Sequence, residues 1–171
     1  QKLPLNHIKA VASLFLSRID SAIDSRLPEH LQGKTAISLA KTAYLVYNEI
    51  FDTINAKTES VWHELKLAGA KEQYLLFAST GTKNSNYSDV LYVEELIGRC
   101  TINTLPDATM NAFRDHGVAQ NGILRHISDA PTVLDEVRQA GINMQELGKT
   151  LLEDGLRSFA ASFDSLLALM E

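Results

Sequence analysis

The chain has 171 residues, 45% of them hydrophobic and 22% charged, with a formal net charge of -5. That composition reads as one water-soluble globular unit with a core, here taken as a single partial domain over residues 1–171. The absence of a basic block argues against a nucleic-acid partner, and no apolar run approaches the ~20 residues a bilayer requires. Cys100 is the single cysteine, which excludes an internal disulfide and a cysteine-based metal cluster; with no secretory leader visible, the expected compartment is the cytoplasm. The chain opens QKLPLNHIKAV, without methionine, and so reads as processed or as a piece of something longer.

Residues 10–19, AVASLFLSRI, form a short apolar run that predicts a buried strand whose end, Ser17 and Arg18, emerges at a surface. A polar connection follows. From about Ala36 to Ile54 the positions Ile37, Ala40, Tyr44, Tyr47, Phe51 and Ile54 recur at helical steps, predicting a helix with one buried face. A second helical piece, about Glu59 to Leu67, stops at Gly69. YLLFA, residues 74–78, reads as a second strand.

The polar stretch STGTKNSNY comes next. Ser88 then caps a helix of about Asp89 to Ile97, which Gly98 ends. RCTINTL, residues 99–105, is β-branched enough for a third strand, and Pro106 suits the first turn of a helix over about Asp107 to Asp115. PTVLDEVRQAG is a short helix ending at Gly141. Asn143 with Glu146 resembles a capping box and opens a long last helix, with Leu147, Leu151, Phe159, Phe163, Leu166 and Leu167 along one apolar side.

Alternating strands and helices predict an α/β fold with a parallel sheet, either an open doubly wound sheet or a (β/α) barrel. In both, chemistry collects at the carboxyl ends of the strands, where Arg18 and Lys83 fall. Three strands are too few for a closed barrel, so the chain reads as the last three-eighths of one. Small residues, hydroxyls and one ammonium over Ser79 to Asn84 suit an anion, and Arg18 on a neighbouring strand end points to a phosphorylated small molecule. The alternative is a solvated turn with an incidental lysine.

Other motifs carry less. HELKL lacks the second histidine of a zinc helix, and Gly81 to Asn84 lacks the glycine and Ser/Thr of a P-loop. Asn86-Tyr87-Ser88 is a chance glycosylation sequon. His116 and His126 have no spaced partners, Cys100 reads as a small core residue, and Glu94 with Glu95 reads as a solvated helix face.

The residues singled out resemble the C-terminal part of transaldolase, of the bacterial type with a long C-terminal extension. VASLFLSRID resembles that family's sixth strand, ASTGTKNSNYSDVLYVEELIG its seventh strand and following helix, TINTLPDATMNAFRDHG its eighth strand and helix, and EDGLRSFAASFDSLLALM its closing helix. The resemblance covers essentially the whole chain. It implies strands 6 to 8 and the closing helices of a TIM-type (β/α)8 barrel. The implied activity is transfer of a dihydroxyacetone unit between sugar phosphates in the pentose phosphate pathway: fructose 6-phosphate, sedoheptulose 7-phosphate and aldose phosphates. It proceeds through a lysine Schiff base, without cofactor or metal.

Residue by residue, the resemblance implies that Arg18, Ser79 and Lys83 bind substrate phosphate. Ser13 is implied to touch substrate and Phe15 to stand beside the catalytic water. The Schiff-base lysine belongs to the fourth strand of the family, and its acid/base carboxylates to the first and third. The lysines here, at 2, 9, 34, 41, 57, 66, 71, 83 and 149, match none of those places, so no catalytic residue is expected in this chain and the chain alone is expected to be inactive. Open sheet edges then call for a partner, either an N-terminal barrel half or a second copy of the chain. Three functions follow: a transaldolase as part of a complete barrel, a non-catalytic phosphate-binding module, or a self-associating fragment.

Overall fold

A computed structural model describes residues 4–51 and 60–170. Its centre is a parallel sheet of three strands in the order β1-β2-β3: β1 (Val11–Phe15), β2 (Tyr74–Ala78) and β3 (Thr101–Asn103). Val11 pairs with Tyr74, Ser13 with Leu76 and Phe15 with Ala78; Leu76 in turn pairs with Ile102. The helices are α1 (Ser17–Ile23), α2 (Thr35–Ile50), α3 (Val61–Leu67), α4 (Leu91–Leu96), α5 (Asp107–His116), α6 (Ala130–Gln139) and α7 (Met144–Ala168). Short 3-10 turns lie at Asp24–Arg26, Glu29–Leu31, Gly122–Leu124 and Ile127–Asp129. Among the described residues no helix is long and apolar enough to cross a membrane.

Side chains alternate across a strand, so the sheet has two unlike faces. Leu75 and Phe77 point into the helical layer and are buried, joined there by Leu16, Ile19, Ile23, Ala40, Tyr44 and Tyr47. The opposite face carries Val11, Phe15, Tyr74 and Ile102, which are 37–49% exposed. Helices thus cover one side of the sheet, and β1 and β3 are edge strands among the described residues. This one-sided α/β arrangement is consistent with an arc of a barrel whose inner face is Val11, Ser13, Phe15 and their partners.

Several elements differ from the sequence reading. The first strand stops at Phe15; Ser17 and Arg18 belong to the first turn of α1 rather than to a strand end. The reason is burial: Leu16, Ile19, Asp20 and Ile23 recur at helical spacing and all face the core. β1 itself is half exposed, because it is an edge strand with an open face. The helix expected to reach Ile54 is helical through Ile50, and Ile54 and Glu59 lie outside the described residues. α4 starts at Leu91, two residues after the expected start, with Val90 at its cap and the Ser88 hydroxyl accepting from the Val90 amide.

Three expectations about single residues also change. Glu95 is not a solvated residue: it forms an ion pair with buried Lys41. His116 has partners, Asp89 and Asp115. The apolar side of α7 is partly buried, and only at its start. Leu147 and Leu151 pack on the core, whereas Phe159, Phe163, Leu166 and Leu167 are 42–71% exposed.

Candidate functional site

The carboxyl end of the sheet is built around residue 79. The β1–β2 ladder runs on past the strands: the Leu16 amide donates to the Ala78 carbonyl and the Ser17 amide to the Ser79 carbonyl, both at 3.0 Å. Ser79 has φ +56, a left-handed backbone that is costly for a residue with a Cβ. In this conformation its hydroxyl lies 2.9 Å from that of Ser17. The chain therefore turns sharply at the end of β2 and is fastened there to the first turn of α1.

Arg18 follows directly on that turn. Its guanidinium lies over the Phe15 ring, 5.8 Å from the ring centre, within cation–π range. Gly155 of α7 passes beside the same guanidinium; a Cβ there would stand 4.0 Å from Nη1. Arg18 is exposed and makes no ion pair among the described residues. Ser13 shares the open face of β1 with Phe15 and is also exposed. Three of the sequence-identified residues, Phe15, Arg18 and Ser79, thus gather at one end of two adjacent strands, with Ser13 at the middle of β1 on the same face as Phe15.

Lys83 sits further along the loop after β2. It is exposed, has no ion pair or hydrogen bond among the described residues, and lines a shallow pocket of about 590 Å³ with Thr82, Asn84, Ser85, Tyr87, Ser88 and Asp89. The loop around it is held firmly. Thr80 is wholly buried and donates to Asn103 Oδ1 at 2.8 Å, with the Thr104 carbonyl at 3.1 Å. Gly81 lies so close to the start of α5 that a Cβ would meet Thr109 Oγ1 at 3.0 Å and Pro106 Cγ at 3.2 Å. Beyond Lys83, the Tyr87 hydroxyl donates to Asp24 Oδ2 at 2.7 Å. Burial, with Asp24 beside it, pushes the Tyr87 phenol up to about 12, so it remains a neutral donor at ordinary pH.

The sequence reading placed Ser17, Thr80 and Gly81 at this end of the sheet without the contacts they make, and gave Asp24 and Tyr87 no part in the site. Their partners are 23 to 63 positions away in sequence, beyond the reach of any local period. Chemically, the arrangement offers two cations that make no ion pair among the described residues and a group of hydroxyls at the end of a parallel sheet, which is the chemistry of an anion site.

The nine lysines divide clearly. Lys2 and Lys57 lie outside the described residues, none of the other seven is on a strand, and Lys41 is the one buried among them. Lys41 is in α2, in the helical layer, where its Nζ donates to Glu95 Oε2 at 2.6 Å and to the Arg125 carbonyl at 2.7 Å. Arg125 braces the same carboxylate at 3.3 Å.

Comparison with known proteins agrees with the α/β fold. The family model described as Transaldolase/Fructose-6-phosphate aldolase matches residues 3–170. A protein of Neisseria meningitidis serogroup C named Transaldolase is 46% identical over 162 residues, 95% of this chain and 44% of that protein. Proteins of the same name from Thiobacillus denitrificans and Mycobacterium bovis are 42% and 40% identical over 171 residues. The chain spans less than half the length of these relatives. A match over nearly the whole chain, on a parallel α/β sheet with its polar residues at the carboxyl end, establishes that this chain belongs to the transaldolase/fructose-6-phosphate aldolase family.

Proposed function

We propose that this chain supplies the phosphate-binding side of a transaldolase barrel, as strands 6 to 8 and the closing helices. In this reading Arg18, Ser79 and Lys83 hold the phosphate of fructose 6-phosphate, sedoheptulose 7-phosphate or an aldose phosphate. Ser13 touches the sugar and Phe15 stands beside the reacting water. The complete barrel would transfer a dihydroxyacetone unit in the pentose phosphate pathway, in the cytoplasm, through a Schiff base on a lysine outside this chain. The observation that carries the reading is the placement of Arg18 and Lys83, both without carboxylate partners among the described residues, after adjacent parallel strands.

An enzyme amine that attacks a ketose carbonyl must be free of its proton and within reach of the substrate. Lys41, the buried lysine among the described residues, is committed to an ion pair with Glu95, on a helix behind the sheet. This favours a chain that is inactive by itself and retains sugar-phosphate binding. An N-terminal barrel half or a second copy would cover the open sheet face.

The test is calorimetric titration of the chain with fructose 6-phosphate and with fructose. Binding of the phosphorylated sugar alone is expected. Lys83→Ala should weaken it by roughly 1.5–3 kcal/mol, about 10- to 150-fold, as for a lost charge-assisted contact. Equal affinity for both sugars would remove the phosphate site. Borohydride trapping with fructose 6-phosphate, read by intact mass, should leave this chain unmodified; an adduct on it would put the nucleophile here.

A further inference from the structure

The geometry points to Tyr87, through its bond to Asp24, as the positioning residue that fixes Lys83 relative to the helix carrying Arg18; this rests on the phosphate-site reading above. The loop after β2 has anchors on both sides of Lys83, and they differ in kind. Upstream, Ser79, Thr80 and Gly81 tie the chain to α1, β3 and α5 within four residues of the lysine. Downstream, one side chain performs the same task. Asn84 closes a tight turn, its carbonyl accepting from the Tyr87 amide at 3.1 Å and its Oδ1 from the Asn86 amide at 3.0 Å. That turn makes residues 84–87 a unit, so wherever Tyr87 is held, the residue just before Asn84 is held as well.

Tyr87 is held by α1 and the connection after it. Asp24 caps the carboxyl end of α1, the helix whose first turn carries Arg18. Its Oδ2 accepts from the Tyr87 hydroxyl at 2.7 Å and its Oδ1 from the Gly33 amide at 3.1 Å. Gly33 is also the seat for the ring. It has φ +70, and a Cβ there would come within 2.9 Å of Tyr87 Cζ. A bare α-carbon is therefore needed for the phenol to reach Asp24. One carboxylate thereby joins the Lys83 turn to the helix that presents Arg18. Two flexible cations bind an anion well only when their spacing is set in advance, because ordering them on binding costs free energy.

The experiment is a double-mutant cycle on the intact chain, read by calorimetry with fructose 6-phosphate and by amide exchange of residues 81–86. Tyr87→Phe, which keeps the ring, should speed exchange in the loop and weaken binding about 3- to 10-fold, the range for one lost hydrogen bond. In a Lys83→Ala background the same change should cost no further affinity, because the residue being positioned is gone. Gly33→Ala, which displaces the ring and keeps the hydroxyl, should reproduce the loss. Unchanged loop exchange in Tyr87→Phe, or a full additive loss in the Lys83→Ala background, overturns the inference. If exchange rises in Tyr87→Phe but the parent chain does not prefer fructose 6-phosphate to fructose, the clasp exists without a phosphate site. The phosphate reading has then failed, and the positioning role with it.

Discussion

The Asp20 carboxylate accepts the Tyr92 hydroxyl at 2.7 Å on one oxygen and the Ala36 amide at 2.9 Å on the other. All of this happens out of water: Asp20 is 1% exposed and Tyr92 2%. Asp20 ties α1 to the start of α2 and to α4, directly behind the turn that bears Arg18. Burial outweighs both hydrogen bonds and pushes the carboxyl up to about 6, with Asp24 adding to the rise.

A pH dependence follows. The folded chain holds the Asp20 proton more tightly than the unfolded chain does. This group therefore favours folding fully below its unfolded value near 3.8, and the contribution is lost as pH rises through about 6. A rise of that size corresponds to roughly 3 kcal/mol. Asp20→Asn keeps an acceptor and removes the titration. Urea unfolding of both chains from pH 4 to pH 7 should show the parent losing stability relative to Asp20→Asn across this window. A difference that does not vary with pH would refute the assignment.

The Lys41–Glu95 pair lies in the wall of a cleft of about 570 Å³ between α2, α4 and α6. Removing the lysine leaves Glu95, only 21% exposed, with Arg125 as its remaining cation. Lys41→Ala should destabilise the chain by roughly 2–4 kcal/mol, somewhat below the cost of a wholly uncompensated buried charge because Arg125 remains beside Glu95. Lys41→Met with Glu95→Leu should recover much of that loss. If Lys41→Ala leaves the urea midpoint unchanged, the pair contributes nothing to stability.

Two glycines should respond in opposite senses to alanine. Gly122 lies against α4, where a Cβ would overlap the Glu94 carbonyl oxygen, a backbone atom. Gly122→Ala must push two elements apart, and a loss of about 3 kcal/mol or more is expected. Gly148 lies in α7, and apart from its own helix backbone a Cβ there would meet none of the described residues within 4 Å. There alanine should stabilise the helix by about 0.5–1 kcal/mol. Melting temperatures of the two variants that move in the same direction would contradict this packing.

The contrast between these sites shows what the sequence made legible. YLLFA is a strand over the residues read for it, because a short apolar run between polar flanks has few other uses. Ile37, Ala40, Tyr44 and Tyr47 are buried at the helical period that announced them. The period failed at α1, where buried Asp20 occupies a core position and made the segment read as a polar connection. It failed differently in α7, since an apolar stripe reveals that a face is amphipathic but not what covers it. At the candidate site, Arg18, Ser79 and Lys83 stood out by type and placement. The bonds that hold them, Ser17 to Ser79 and Tyr87 to Asp24, join residues 62 and 63 positions apart and appear only once the strands are set side by side.

The outer half of α7 makes the last prediction. Leu152, Leu156, Phe159, Phe163 and Leu166 recur at steps of four and three, all 56–71% exposed. That spacing suits a second helix packed lengthwise, and covering each such side chain is worth about 1.5–3 kcal/mol. The open sheet face, with Val11, Phe15 and Tyr74, adds a second uncovered apolar surface. The isolated chain should therefore sediment as a dimer or larger species at micromolar concentrations. Phe159→Glu with Phe163→Glu places two charges in the stripe without touching the core and should shift the species toward monomer. Should the double variant sediment like the parent while the parent is associated, the sheet face and not α7 carries the contact. A parent chain that stays monomeric throughout would show that neither surface drives self-association.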